Sequence, residues 1–206
     1  HIDKEMNVVE IVRSIFPAKT KDFVTAVDEH SIILVKELKE KESAEEIDRI
    51  AKTIEETLNA ETNSHVYISS GTIVSDLKDV SRSYKEAKMA LEVGKIFETE
   101  KYIVNYEKLG IGRLIYQLPL PLCRMFIKEV LHGLTMDDFD DETLATVNKF
   151  FENNLNVSET SRQLYIHRNT LVYRLEKIKK LTGLDLREFD HAIVFKVAMM
   201  VNRYLD

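Results

Sequence analysis

The sequence predicts an α+β protein that is mainly helical, with a mixed α+β part first and an all-α part after it. Three observations carry this. Runs with the period-two alternation of half-buried strands fall between Phe23 and Val104. From Lys108 onward, apolar residues recur every three or four positions, as on one face of a helix. Asn156–Gly183 then reads as two helical segments joined by a very short turn, the arrangement of a helix-turn-helix.

Taken in order, Glu5–Ile15 sets Met6, Val9, Val12 and Ile15 at helical spacing, and Pro17 stops it. Phe23–Val27 and Ser31–Glu37 read as two strands joined by a hairpin turn, Asp28-Glu29-His30. Ser43–Leu58 is an amphipathic helix: Ser43 caps it, Glu46 completes a capping box, and Ile47, Ile50, Ile54 and Leu58 line its core side. His65–Ser70 alternates as a strand broken by Gly71. Asp79–Phe97 is a helix with Tyr84, Ala87, Leu91 and Gly94 on one side, and Tyr102–Val104 is a short last strand. This α-β-β-α-β-α-β order, with one more strand ahead of it, makes a ferredoxin-like or cyclase-like sheet.

Lys108–Met136 is a helical connector, with Leu109, Leu114, Leu118, Leu122, Phe126, Val130 and Leu134 recurring at about four and a break at Pro119 and Pro121. The acidic run Asp137–Asp141 marks a boundary, with Asp141 as a helix cap. Asp141–Asn153 is a helix with Leu144, Val147, Phe150 and Phe151 inward. Asp190–Leu205 closes the chain with Ile193, Val197, Val201 and Tyr204 on one face. The expected domains are residues 1–107, a connector at 108–140, and residues 141–206.

Composition narrows the functional classes. A hydrophobic content of 44% supports real cores. The longest apolar run, Ala192–Val201, is interrupted by Lys196, short of the ~18 residues of a membrane span. The single cysteine, Cys123, excludes an intrachain disulfide and a cysteine-based zinc site, and a buried thiol is the expectation. The chain opens on His1, read as the start of a fragment or a cloning remnant, and no secretory signal follows. A cytoplasmic protein without a cofactor is expected.

The net charge of −6 argues against indiscriminate binding to nucleic acid. Between Ile166 and Gly183 the sign reverses: Arg168, Arg174, Lys177, Lys179 and Lys180 face Glu176 alone. The first segment of the pair, Ser158–Leu164, has Ser158 as its N-cap. The second, Arg168–Thr182, carries Leu171, Leu175, Ile178 and Leu181 on one stripe and ends at Gly183 as its C′ residue. Its other side bears Thr170, Tyr173, Arg174, Lys177 and Lys180. Such a helix fits a major groove, with Arg168 and Arg174 near base edges and Lys179 and Lys180 near phosphates. Arginine is suited to guanine, asparagine to adenine, and tyrosine or threonine to phosphate. The DNA-binding set is therefore His167, Arg168, Asn169, Thr170, Tyr173, Arg174, Lys177 and Lys180. Neither a catalytic residue nor a metal ligand is expected.

The run NVSETSRQLYIHRNTLVYRLEKIKKLTGLDL, Asn156–Leu186, resembles the C-terminal DNA-binding domain of PucR/CdaR-type bacterial regulators, the regulators of purine and sugar-diacid catabolism. Its shorter core is similar to the helix-turn-helix of Fis. Tyr165 stands where many helix-turn-helix proteins place glycine. Ser81–Gly94, SRSYKEAKMALEVG, resembles the matching helix of the GGDEF-like domain of the same family, a likeness that covers about 23–106. The resemblance implies a sequence-specific transcriptional regulator that binds operator DNA. A homodimer is expected because one helix-turn-helix buries little surface on DNA, symmetric half-sites are the usual remedy, and the connector and Asp190–Leu205 both offer apolar stripes. It also implies a small-molecule effector sensed by a domain upstream of this chain.

In an active cyclase of that kind, the hairpin carries glycines that let the backbone approach phosphates, and acids that help hold metal. Here it reads Val27-Asp28-Glu29-His30-Ser31, so a degenerate, non-catalytic domain is implied. Two other classes stay in play: a nucleotide-binding or nucleotide-turnover protein using that domain, and a dimerisation module. Among the remaining candidates, His167 lacks a ligand partner at metal spacing and reads as a turn or phosphate contact. The 137–142 acidic run reads as a solvated linker. Ser69-Ser70-Gly71-Thr72 has the flavour of an anion-binding turn but no following lysine.

Overall fold

The computed structural model describes residues 2–16, 21–39, 44–63, 65–97 and 101–206. The chain divides into two compact units, His1–Arg113 and Leu114–Asp206. Pro17 and Ser43, expected as a helix stop and a helix cap, lie outside the described residues. The stretch expected as a connector, 108–140, divides between the two units.

The first unit runs α1 (Ile2–Ile15), β1 (Phe23–Asp28), β2 (Ser31–Val35), α2 (Ala44–Thr62), β3 (Ile68–Ser70), α3 (Val80–Phe97) and β4 (Ile103–Asn105), the expected order. β1 and β2 form an antiparallel hairpin with Val24 opposite Leu34 and a bulge between Ala26 and Asp28. β3 pairs with β4 in parallel, Ile68 opposite Ile103. Among the described residues these are two separate two-stranded sheets, not the single sheet that the element order suggested. The second pair is short and half polar, and it is tied to α3: the Ser69 hydroxyl donates to the Ala87 carbonyl at 2.6 Å. The core gathers Val9 and Val12 of α1, Val24 of β1, and Ile54 and Leu58 of α2, with Ile32, Leu34 and Ile50 packed on it.

α3 buries Ala90, Val93 and Gly94, one position round from the expected face, and Tyr84 stays 36% exposed. Gly94 is there because β4 passes close: a Cβ would stand 2.5 Å from Val104 Cγ2.

A single helical turn, α4 (Gly112–Ile115), straddles the boundary, and the second unit contains α5 (Leu120–Val130), α6 (Asp141–Glu152), α7 (Val157–Gln163), α8 (Arg168–Thr182) and α9 (Phe189–Leu205). Pro119 precedes α5 and Pro121 lies in its first turn, where a missing N–H costs nothing. The buried stripe here is Ile115, Cys123, Ile127 and Leu131, while Leu114 and Leu122 are exposed. That is one residue off the expected series, because both stripes are apolar and only the packing of α5 on α9 selects between them. The core continues through Met136, Phe139, Val147, Phe150, Phe195 and Val201, with Phe139 edge-on to Phe195. In α9 the buried side is Ala192, Phe195, Ala198 and Val201, and Ile193 faces out. No described helix is long and apolar enough to cross a membrane.

Candidate nucleic-acid interface

α6, α7 and α8 build the helix-turn-helix from local signals. The cap of α6 is Asp140, not Asp141: its carboxylate accepts from the Thr143 amide at 2.7 Å. The cap of α7 is Asn156, not Ser158: Asn156 Oδ1 accepts from the Glu159 amide at 3.0 Å. Ser158 stands inside the helix, and its hydroxyl accepts from Arg168 at 3.3 Å.

The turn is closed by the Tyr165 amide donating to the Arg162 carbonyl and the Ile166 amide to the Ser161 carbonyl. Tyr165 adopts φ 55°, the left-handed region that a glycine fills in the generic motif. Its side chain is 96% exposed. A residue without a Cβ is therefore not required for the turn, provided that the side chain leaves the interhelical angle empty.

His167 caps α8: its Nδ1 accepts from the Asn169 amide at 3.1 Å. That acceptor role leaves Nε2–H as the ring's donor. At the far end, Gly183 has φ 77° and its amide donates to the Lys179 carbonyl at 2.8 Å, the expected C′ role. The inner stripe of α8 is Leu171, Leu175 and Ile178, as expected, but the fourth member is Thr182 rather than Leu181. The Thr182 hydroxyl donates to the Ile178 carbonyl at 2.8 Å, so burying it leaves no polar group unsatisfied.

The eight expected contact residues separate into two groups. His167, Arg168, Asn169, Thr170, Tyr173 and Lys180 are exposed. Of these, Asn169, Thr170, Tyr173 and Lys180 make no side-chain hydrogen bond or ion pair among the described residues. Arg174 and Lys177 are turned to α6. One Arg174 nitrogen donates to Thr146 Oγ1 at 2.7 Å and another to the Glu142 carboxylate. Lys177 Nζ donates to Asp140 Oδ2 at 2.7 Å. The hydrogen bond from Lys177, and then those from Thr143, hold the Asp140 carboxyl well below the usual carboxylate range, and the same pair raises the Lys177 ammonium.

A second knot closes the other flank. Asp185, with a nearly buried side chain, takes Arg187 at 2.7 Å and Lys179 at 3.0 Å, and Arg187 also reaches Glu176. Arg187 first and Lys179 next depress the Asp185 carboxyl against the opposing effect of its burial. The sequence reading missed Asp140, Glu142, Thr146, Asp185 and Arg187 as the anchors of α8. The local signal that existed was Asp185 at a helix end with Arg187 two residues on.

The minor candidates resolve simply. The Asp28 carboxylate accepts from the His30 amide at 2.8 Å, and that bond, followed by one from Ser31, lowers its pKa. This is a hairpin turn held by its own aspartate. The Thr72 amide of the Ser69–Thr72 turn donates to Glu86 at 3.0 Å, so a carboxylate of this chain already occupies that donor. Cys123 is buried. The described residues contain no group of three or more His, Cys, Asp or Glu side chains placed to hold a metal.

Comparison with known proteins fits this division. A family described as the PucR C-terminal helix-turn-helix domain matches residues 143–201. A family described as the GGDEF-like domain matches residues 2–93. The purine catabolism regulatory protein of Bacillus subtilis is 30% identical over 135 residues, covering 65% of this chain and 25% of that protein. The carbohydrate diacid regulator of Escherichia coli is 33% identical over 135 residues, covering 66% of this chain and 35% of that protein. The DNA-binding transcriptional activator AdeR of Bacillus subtilis is 29% identical over 193 residues, covering 89% of this chain and 44% of its own length. The chain thus spans between a quarter and under half of these relatives. With a GGDEF-like match at residues 2–93 followed by a PucR-type helix-turn-helix match at residues 143–201, the chain is similar in both of its parts to regulators of the PucR/CdaR kind.

Proposed function

We propose that this chain is the DNA-binding part of a transcriptional regulator and that α8 reads the major groove of operator DNA. The observation that carries the reading is the contrast between the two sides of α8. Leu171, Leu175 and Ile178 are buried, while Asn169, Thr170 and Tyr173 stand in solvent with no side-chain hydrogen bond or ion pair among the described residues. The helix is thus fixed from behind and free in front, as groove readout requires. Asn169 suits an adenine edge. Arg168, Thr170, Tyr173, Lys180 and the Nε2–H of His167 suit phosphates or neighbouring bases. The functional division proposed keeps 141–206 as the DNA-binding domain, with the 108–140 connector ahead of it.

The same proposal includes a homodimer, since one such helix covers few base pairs and two-fold half-sites are the usual solution. It includes a small-molecule effector sensed by a part of the protein outside this chain, and work in the cytoplasm, where operators are. It also includes the absence of cyclase activity, supported by the Asp28 carboxylate being engaged by its own turn. Incubation with GTP and magnesium is expected to yield no cyclic dinucleotide, and turnover above a blank counts against that part.

The main test is selection of bound sequences from random duplex DNA at two salt concentrations. The expected result is one enriched sequence whose affinity falls as salt rises. Recovery without enrichment at either concentration overturns the proposal.

A further inference from the structure

We propose that Arg174 is a positioning residue of α8, which it locks to α6, and that it is not itself a DNA contact. The inference rests on the DNA-binding reading above and deepens it.

The geometry is that of a clamp. Tyr173 is 70% exposed, yet the Arg174 side chain beside it is only 13% exposed. Its guanidinium fork meets two acceptors one turn apart on α6, the Thr146 hydroxyl at 2.7 Å and the Glu142 carboxylate. Thr146 is 1% exposed, and its hydroxyl donates to the Glu142 carbonyl at 2.8 Å while accepting from Arg174. Both functions of that hydroxyl are therefore used inside the protein. One turn further along α8, Lys177 grips Asp140, the cap of α6, at 2.7 Å. Two cations of α8 are thus answered by the acidic first turn of α6 and its cap, where carboxylates also complement the helix dipole.

For Arg174 to reach DNA it must break both bonds. That leaves a nearly buried threonine hydroxyl without its donor and an unpaired carboxylate facing phosphates. A planar fork on two acceptors fixes the rotation of α8 about its axis, which an ammonium or a single bond does not. The rotation decides which of Asn169, Thr170 and Tyr173 meets a base. Arg174 therefore acts on specificity through those residues.

A double-mutant cycle separates this from direct contact. Wild type, Arg174→Ala, Glu142→Ala and the double variant are titrated on the selected duplex and a scrambled one across salt, with thermal unfolding followed in parallel. The Glu142 side chain is 74% exposed, so its truncation leaves a folded protein even where Arg174→Ala does not. If Arg174 positions, Glu142→Ala lowers the preference for the selected duplex by about tenfold, within the range of coupled contacts. Arg174→Ala then does the same with an unchanged salt slope, and the double variant is no worse than Arg174→Ala. If Arg174 touches DNA, removing Glu142 frees it and deletes a repelling anion. In that case Glu142→Ala tightens binding, or Arg174→Ala lowers the salt slope by about one. Either result overturns the proposal. Wild type without preference for any duplex overturns the DNA reading as well, an outcome distinct from both.

Discussion

Lys180 and Asn169 lie on the solvent side of α8 and differ in what a side chain of each kind detects. The Lys180 ammonium is a point charge near the end of the helix, suited to phosphate alone. Lys180→Ala is expected to weaken the selected and scrambled duplexes alike and to lower the salt slope by about one. Asn169 is in the first turn and can pair with an adenine edge, so Asn169→Ala is expected to cost ~1–3 kcal/mol on the selected duplex and relax choice at one base pair. Titration of both variants on both duplexes checks this, and equal losses for Asn169→Ala make it a phosphate contact. The polar side of α8 was legible from its periodicity, but the fate of Arg174 and Lys177 was not. Their partners lie 28 to 37 residues back in the chain, and no local pattern links a cation to a carboxylate at that range. Asn156 was passed over as a cap because Ser158, an equally good capping type, stands two residues later.

The helices were legible as elements, and their caps and faces less so. Around α5 the series Leu114, Leu118, Leu122 and Phe126 lies one position ahead of Ile115, Cys123 and Ile127. Apolar residues thus occupy two adjacent stripes, and tertiary packing buries the second. The strand order was legible too, but not the separation into two sheets, since pairing is set by contacts distant in sequence. Two glycines test how the elements are joined. Gly183 has φ 77° and nothing within 4 Å of a Cβ, so Gly183→Ala is expected to cost only backbone strain, ~1 kcal/mol. At Gly71 a Cβ would fall 1.9 Å from the backbone oxygen of Ser83, on α3. The turn or α3 must then move, and Gly71→Ala is expected to cost at least ~2–3 kcal/mol, as overpacking does. Thermal unfolding of the two variants checks the order, and a larger loss at Gly183 contradicts it.

At the scale of the molecule, two units with separate cores sit in a chain of net charge −6. The acidic total repels DNA at a distance, so binding depends on the few cations of α8 that are not already paired. Two copies on two half-sites, as proposed above, would double that number without changing the sequence. The outward side of α5 carries Leu122 and Met125, 42% and 51% exposed, an apolar strip suited to a second copy. Light scattering at micromolar concentration is expected to give the mass of a dimer. A monomer with and without the selected duplex counts against it.

Cys123 gives the second unit a built-in clock. It is the chain's one thiol, and it lies sealed in the packing of α5 on α9. A thiol reagent reaches it only when that packing opens, so the rate of labelling reads the frequency of opening, residue-specifically and without a probe added to the protein. A ligand that binds only the closed form lengthens the interval between openings by a factor of one plus the ratio of free ligand concentration to Kd. The time course of a single chemical modification thereby reports, from the side of α5, whether anything has settled on α8.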